Sequence, residues 1–341
     1  MRPWDLELAG RLEERKLVSA ALRDNPLGDP ATRPVWVYLP PGYDAATGRH
    51  PVVYVLQGFG GFVTRWGHHS MLELTVPELI DGVFAAGAPP CLVVYVDAWT
   101  RLGGSQFLDS PGTGRYHTYL CEDVVGFVDA EYRTIPDAAH RALLGHSSGG
   151  YGAIVTAMLR PDVFSSCASL AGDCLFELSL LPDVARAHRA LRDHYDGSYD
   201  RFLAELDTRP AMSRPDDHAL VMIWALAACY SAEPDGSVSL PFDQATGAIV
   251  PDVWARWLAR DPVRMAAGHA AALRSLHGIW VDAGRHDEYL LDVGAEVLAS
   301  ELRRAGVDDL AFELYEGTHF RSAQRYPLAA AWLAKRINPL S

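Results

Sequence analysis

The chain has 341 residues, 49% hydrophobic and 21% charged, with a formal net charge of −13. That balance suits a globular protein with a large core, and it argues against nucleic acid or an anionic membrane surface as the main partner. No window reaches the ~18 apolar residues of a spanning helix, and residues 1–10 lack the apolar core of a signal peptide, so a cytoplasmic location is expected.

Residues 1–30 are mixed and charged, with a β-like patch at 17–22, and read as an N-terminal arm or edge hairpin. Residues 33–39 alternate as a strand, and Pro40-Pro-Gly-Tyr-Asp44 ends it as a turn. Residues 52–56 and 91–96 are continuous apolar runs, the pattern of buried parallel strands. A helical stretch near 71–84 lies between them. Leu120, Val124, Phe127, Val128 and Tyr132 fall at helical spacing and predict an amphipathic crossover helix over 119–132. Strands follow at 142–145, 165–170, 278–284 and 310–315, with helices at 149–159, 288–305 and 326–337.

Strands alternating with helices predict an α/β fold with a doubly wound, mostly parallel sheet. The expected organisation is an arm (1–30), a first core part (31–172), a helical cap or insertion (173–275) and a second core part (276–341). The insertion is far longer than a simple crossover requires, and it carries Trp224, Tyr230, Trp254 and Trp257. Within it, 220–230 reads as buried and 231–251 as a loop. At the carboxyl ends of the strands it would overhang a site; the alternative is a packing or dimerisation element elsewhere. Five cysteines (Cys91, Cys121, Cys167, Cys174 and Cys229) are odd in number and lack Cys-x-x-Cys spacing. They read as buried free thiols in a reducing compartment, with a Cys167–Cys174 disulfide as the unsupported alternative.

The stretch with the most chemistry is Leu143-Leu-Gly-His-Ser-Ser-Gly-Gly-Tyr151. It sets Gly-x-Ser-x-Gly between a strand and a helix, the context of a nucleophile elbow. A serine in so sharp a turn needs neighbours without side chains, which Gly145, Gly149 and Gly150 supply. The plain alternative is a glycine-rich turn without chemistry.

A serine hydroxyl needs an adjacent base, usually a histidine oriented by a carboxylate. In an α/β hydrolase the chain order is Ser, acid, His. His319 follows the last strand, after Gly317, and is the only histidine beyond His286. Asp287 follows the strand 278–284 and is the preferred acid; its rivals are Asp282 within that strand, Glu288 at the start of the next helix, and Glu316. Asp287 could also serve as a helix N-cap. The second oxyanion donor, beside the Ser148 N–H, is assigned to the Phe59 N–H in the loop Leu56-Gln-Gly-Phe-Gly-Gly61. That loop lacks the G-x-G-x-x-G spacing of a dinucleotide site. His68 and His69, with Asp97, lack a shared face for a metal, so neither metal nor cofactor is expected.

With these residues placed, the chain resembles the esterase D-like family of α/β hydrolases, the Putative esterase family. The resembling pieces are Tyr38-Leu-Pro-Pro-Gly-Tyr43, Leu56-Gln-Gly-Phe-Gly-Gly61, Ser110-Pro-Gly-Thr-Gly114, Tyr132-Arg-Thr134, Gly145-His-Ser-Ser-Gly-Gly150, Gly284-Arg-His-Asp287 and Glu316-Gly-Thr-His319. The resemblance implies an α/β-hydrolase fold and a serine carboxylic-ester hydrolase acting on a small-molecule ester. It implies Ser147 as nucleophile, His319 as base, Asp287 as acid, Phe59 and Ser148 as oxyanion donors, and a homodimer. Gln57 stands where related loops carry histidine, and Thr318-His319-Phe320 departs from the formylglutathione branch. Gly58, Arg115, Tyr151 and Trp224 are expected beside the substrate, with Arg115 either binding an anionic group or playing a structural part. The insertion's aromatics suggest a moderately large apolar or aromatic substrate. The alternatives are an acyltransferase with an alcohol acceptor and an inactive hydrolase-fold binding protein; the complete Ser, Asp and His set argues against the latter.

Overall fold

The computed structural model describes residues 7–71, 73–209 and 212–338. The outermost parts of the arm (1–6) and of the second core part (339–341) lie outside the described residues, as does Leu72 of the predicted stretch 71–84. Eight strands form one sheet: β1 Arg11–Val18, β2 Thr32–Leu39, β3 Val52–Leu56, β4 Leu92–Val96, β5 Arg141–His146, β6 Ser166–Leu170, β7 Gly278–Gly284 and β8 Leu310–Tyr315. Their order is β1-β2-β4-β3-β5-β6-β7-β8. β2 runs antiparallel to both β1 and β4, and every pairing from β4 through to β8 is parallel.

The strand sequences explain this order. β3 (VVYVL) and β4 (LVVYV) are buried along their whole length, as central parallel strands covered on both faces must be. β1 (RLEERKLV) is charged and largely accessible, which suits an edge and discourages pairing with a second chain. Alternate residues of each strand serve opposite faces. Val53, Val55, Val93 and Tyr95 meet α1 Val76–Ala85 and the closing helix on one side. Val52, Tyr54, Leu56 and Val94 meet α2 Ser148–Leu159 and the crossover helix on the other.

Most predicted elements are observed with small shifts. The first strand spans Arg11–Val18 rather than 17–22, because its partner is β2 and the chain turns after it. α1 starts at Val76, where Thr75 and Glu78 form a reciprocal capping box. The crossover helix runs Tyr116–Thr118, Tyr119–Val124 and Val125–Glu131, its middle segment π-helical.

The insertion between β6 and β7 is helical, with α3 Asp217–Tyr230 buried along most of its length. Leu191, Phe202 and Ile223 belong to the same continuous core as Tyr54 and Leu143 of the sheet. Its last part rejoins the helical layer, since Pro262–Gly268 packs on α2 and on α4 Leu291–Arg304. Buried Asp261 joins the two ends by accepting the N–H groups of Leu175 and Phe176, each at 3.0 Å. The fold closes with α5 Arg325–Ile337. No helix among the described residues is long and apolar enough to cross a membrane. All five cysteines are buried and unpaired.

Candidate active site

Ser147 sits between β5 and α2 with φ +59° and ψ −128°, a conformation that is strained for any residue with a side chain. The glycines around it are a steric requirement. A Cβ on Gly145 would lie 2.2 Å from the Gly149 carbonyl oxygen, and one on Gly149 would lie 2.2 Å from that of Leu56. The turn is held by hydrogen bonds from Ser147 N to Leu170 O and from Tyr151 N to Ser147 O, both 2.9 Å. The Ser148 N–H is left at the N-terminus of a twelve-residue helix.

The loops after β7 and β8 are laced together. Arg285 N donates to Tyr315 O and His286 N to Gly317 O, both at 2.9 Å. This lacing brings His319 to the serine: His319 Nε2 lies 3.1 Å from Ser147 Oγ, and His319 Nδ1 lies 2.8 Å from Asp287 Oδ2. Asp287 also uses Oδ1 to accept the Tyr289 N–H at 2.9 Å. It therefore bonds the imidazole and caps a turn at once; the helix N-cap considered for it in the sequence is instead Leu290.

Each rival carboxylate is occupied elsewhere. Asp282 is fully buried, accepts from Trp280 Nε1 at 2.9 Å and Arg325 Nε at 2.8 Å, and is pushed up to about 6 by burial, against the opposing pull of Arg325. Glu288 does not begin a helix, because α4 starts at Leu291; its carboxylate accepts the His319 backbone N–H at 2.8 Å. Glu316 is exposed, beside Arg285 and His286.

Gln57 ties down the glycine loop after β3, donating to Gly61 O while its Oε1 accepts the Ala98 N–H at 3.3 Å. These bonds account for glutamine at this position. His146, inside the Ser147 motif, packs on His319 with ring centroids 4.6 Å apart. Burial pushes it down to about 3, so it is neutral near pH 7.

A cavity of about 420 Å³ opens over Ser147 and His319, with Gly58, Phe59 and Ser148 also on its wall. The insertion contributes Leu180, His218, Met222 and Leu226, and Phe62 and Trp66 lie beyond the glycine loop. That size suits a small organic molecule. Three of the four residues expected beside the substrate do not line it. Tyr151 is fully buried behind the elbow, its hydroxyl donating to Arg260 O at 3.1 Å. Trp224 projects away from its cavity-facing neighbours Met222 and Leu226 and packs on Tyr199 at 5.0 Å. Arg115 is exposed at the end of a two-residue strand, Gly114–Arg115. The sequence reading missed Asp173, at the carboxyl end of β6, a position that could have flagged it. It lines the cavity and accepts from Ser148 Oγ at 3.0 Å and Gln106 Nε2 at 3.1 Å; burial raises its carboxyl.

The family model described as Putative esterase matches residues 30–326. The chain belongs to the Putative esterase family. Among curated relatives of this esterase-family chain is the S-formylglutathione hydrolase of Bos taurus, 28% identical over 158 residues, which are 40% of this chain and 51% of that protein. Another is the endo-1,4-beta-xylanase/feruloyl esterase of Xylanibacter ruminicola, 25% identical over 170 residues, 48% of this chain and 22% of that one. The chain thus spans about half or less of the length of these relatives. Among solved structures, a ferulic acid esterase superposes with a TM-score of 0.61 at 19% identity, over 98% of this chain and 100% of that one. An S-formylglutathione hydrolase from Agrobacterium tumefaciens does so with 0.53 at 16%, over 98% of each. The fold of this family member is the α/β-hydrolase fold, as the resemblance implied. Feruloyl and formylglutathione branches are both among the matches, so residues 318–320 do not separate the chain from the latter at this level of similarity.

Proposed function

We propose that the protein hydrolyses carboxylic esters of small molecules by acyl transfer through Ser147. One observation carries this reading: the continuous chain Ser147 Oγ, His319, Asp287, with links of 3.1 and 2.8 Å, on the wall of the cavity. His319 takes the hydroxyl proton as Ser147 attacks the ester carbonyl, and Asp287 stabilises the imidazolium that results. The oxyanion is held by the Ser148 and Phe59 N–H groups, each contributing ~10²–10³ in rate. His319 then passes its proton to the departing alcohol oxygen. Water, deprotonated by the same histidine, releases the acid. Membership of the Putative esterase family across residues 30–326 supports the reaction class.

Neutral His146 supports the same reading. A second positive charge 4.6 Å from the developing imidazolium would oppose proton transfer, and burial prevents it. Purified protein is expected to hydrolyse p-nitrophenyl acetate or butyrate and to be labelled once by a fluorophosphonate. Ser147→Ala should lose both. Full hydrolysis by Ser147→Ala would overturn the assignment.

A further inference from the structure

The cavity wall carries two arginines that the acyl-transfer chemistry does not use. Arg65 belongs to the short helix Val63–Gly67, which follows the glycine loop. Arg321 lies two residues after His319. Their segments are packed together, because the Trp66 ring meets the Tyr326 ring edge-on at 5.4 Å. Both arginines line the cavity and are exposed, so both are accessible to solvent.

Several arginines of this acidic protein have carboxylate partners, among them Arg33 with Asp97, Arg141 with Asp129, Arg209 with Asp217 and Arg325 with Asp282. Among the described residues, no such ion pair engages Arg65 or Arg321. Two carboxylates share the wall. Asp173 is engaged at the Ser148 end, and Glu73 is ion-paired with neither arginine. Arg321 also has φ +59°, the left-handed region, which a residue with a long side chain occupies only when its surroundings demand it. Arg65 is close enough to act electrostatically on both His146 and Tyr326.

Placement also says which half of an ester would meet these groups. The base that deprotonates Ser147 must return its proton to the leaving oxygen, so the alcohol half lies against His319. Arg321 follows His319 directly through Phe320, and Phe320 lines the cavity as well. A net charge of −13 repels anions at long range. Two arginines without ion pairs on the cavity wall offer positive charge there, and guanidinium is the side-chain group best matched to a carboxylate.

We propose that Arg65 and Arg321 form a subsite for a carboxylate on the alcohol half of the ester, making esters of hydroxy acids the preferred substrate class. This rests on the acyl-transfer reading above. Hydrolysis then gives the free acid from the acyl half and a hydroxy acid from the other, with no further reactant beyond water.

The test compares 4-acetoxybenzoate with methyl 4-acetoxybenzoate, which differ in the charge on the leaving group. In low salt, wild type should show kcat/KM at least ~10-fold higher for the anion, as charge-assisted hydrogen bonds allow. The anion-to-neutral ratio should fall several-fold in Arg65→Gln and in Arg321→Gln, and to about 1 in the double variant. In 0.5 M NaCl the wild-type ratio should fall while that of the double variant stays put. A parallel titration of Ser147→Ala with both compounds reads binding without turnover: the anion should bind more tightly, and adding both arginine substitutions should abolish the difference. A wild-type ratio at or below 1, or a ratio unchanged in the double variant, overturns the subsite. If Ser147→Ala retains full hydrolysis while its binding preference behaves as described, the acyl-transfer reading falls and the subsite stands.

Discussion

The imidazole of His146 stands 4.6 Å from that of His319, centroid to centroid, with the two planes tilted by 43°. His146 is part of the cavity wall, while its Nε2 is buried without a hydrogen-bond partner. Desolvation, helped by His319, drives this histidine down to about 3 from an ordinary 6.5. Neutrality is thus built into the nucleophile motif itself.

That depression has a stability consequence. The folded state binds the His146 proton less readily than the unfolded chain, so the unfolded chain takes up protons once the pH falls below about 6.5. The contribution is complete above pH 6.5 and is lost progressively toward pH 3. At pH 5 the loss should be on the order of 1–2 kcal/mol. The urea midpoint of wild type should fall between pH 7 and pH 5, and that of His146→Asn should fall less. Equal slopes would show that His146 is not the group responsible.

Asp287 and Asp282 lie five residues apart on one strand and its loop, yet opposite outcomes are expected. Asp287→Asn keeps the shape but no longer favours the productive imidazole tautomer or its charged form, so kcat should drop by ~10³–10⁴ with little change in Tm. Asp282→Asn leaves Arg325 short of a buried partner, which should lower stability by ~3–5 kcal/mol. Its effect on kcat of the folded enzyme should be small. Steady-state kinetics and thermal melts on both variants decide this, and a reversed pattern would exchange the two roles.

Gly149→Ala should be severe. The added Cβ meets the backbone oxygens of Leu56 at 2.2 Å and Gln57 at 2.8 Å, neither of which can swing aside. A loss of at least ~3 kcal/mol, or failure to fold, is expected. Gly126→Ala is the control: it lies in the helix Val125–Glu131 with nothing within 4 Å of the new Cβ. It should gain ~0.5–1 kcal/mol in chemical denaturation. Comparable melts for the two variants would refute the steric account of the elbow.

Gln57→Ala removes both ties that hold the glycine loop, to Gly61 O and from Ala98 N. Stability should fall by ~1–3 kcal/mol, since two buried backbone groups lose their partners. A Phe59 N–H no longer held in place should cost ~10-fold or more in kcat, part of the ~10²–10³ attributed to one oxyanion donor. An unchanged kcat would mean that the loop position does not depend on Gln57.

The parts of the site legible in the sequence are those set by short stretches of chain. The elbow is fixed by steric demands among adjacent residues, so Gly145, Ser147 and Gly149 could be read together. His319 and Asp287 were readable because each closely follows a strand of a parallel sheet, and the carboxyl ends of such strands share one edge. The resemblance supplied the same residues independently.

What could not be read was which way side chains face once distant segments pack. Met222 and Leu226 reach the cavity while Trp224, between them, packs on Tyr199, because the rotation of α3 is set by its burial against the core. Tyr151 follows Ser147 by four residues and is still buried in the interior. Arg65 and Arg321 line one cavity although they are far apart in the chain, and the neighbouring Trp66 and Tyr326, some 260 positions apart, are in ring contact. The sequence by itself determined the strand and helix pattern, the strained serine turn and the order of the reactive groups, since these depend on neighbouring residues and on a chain direction that a parallel sheet preserves. The tertiary structure alone decided the cavity wall, because helix rotation and loop contact are settled by packing between residues that no local pattern connects.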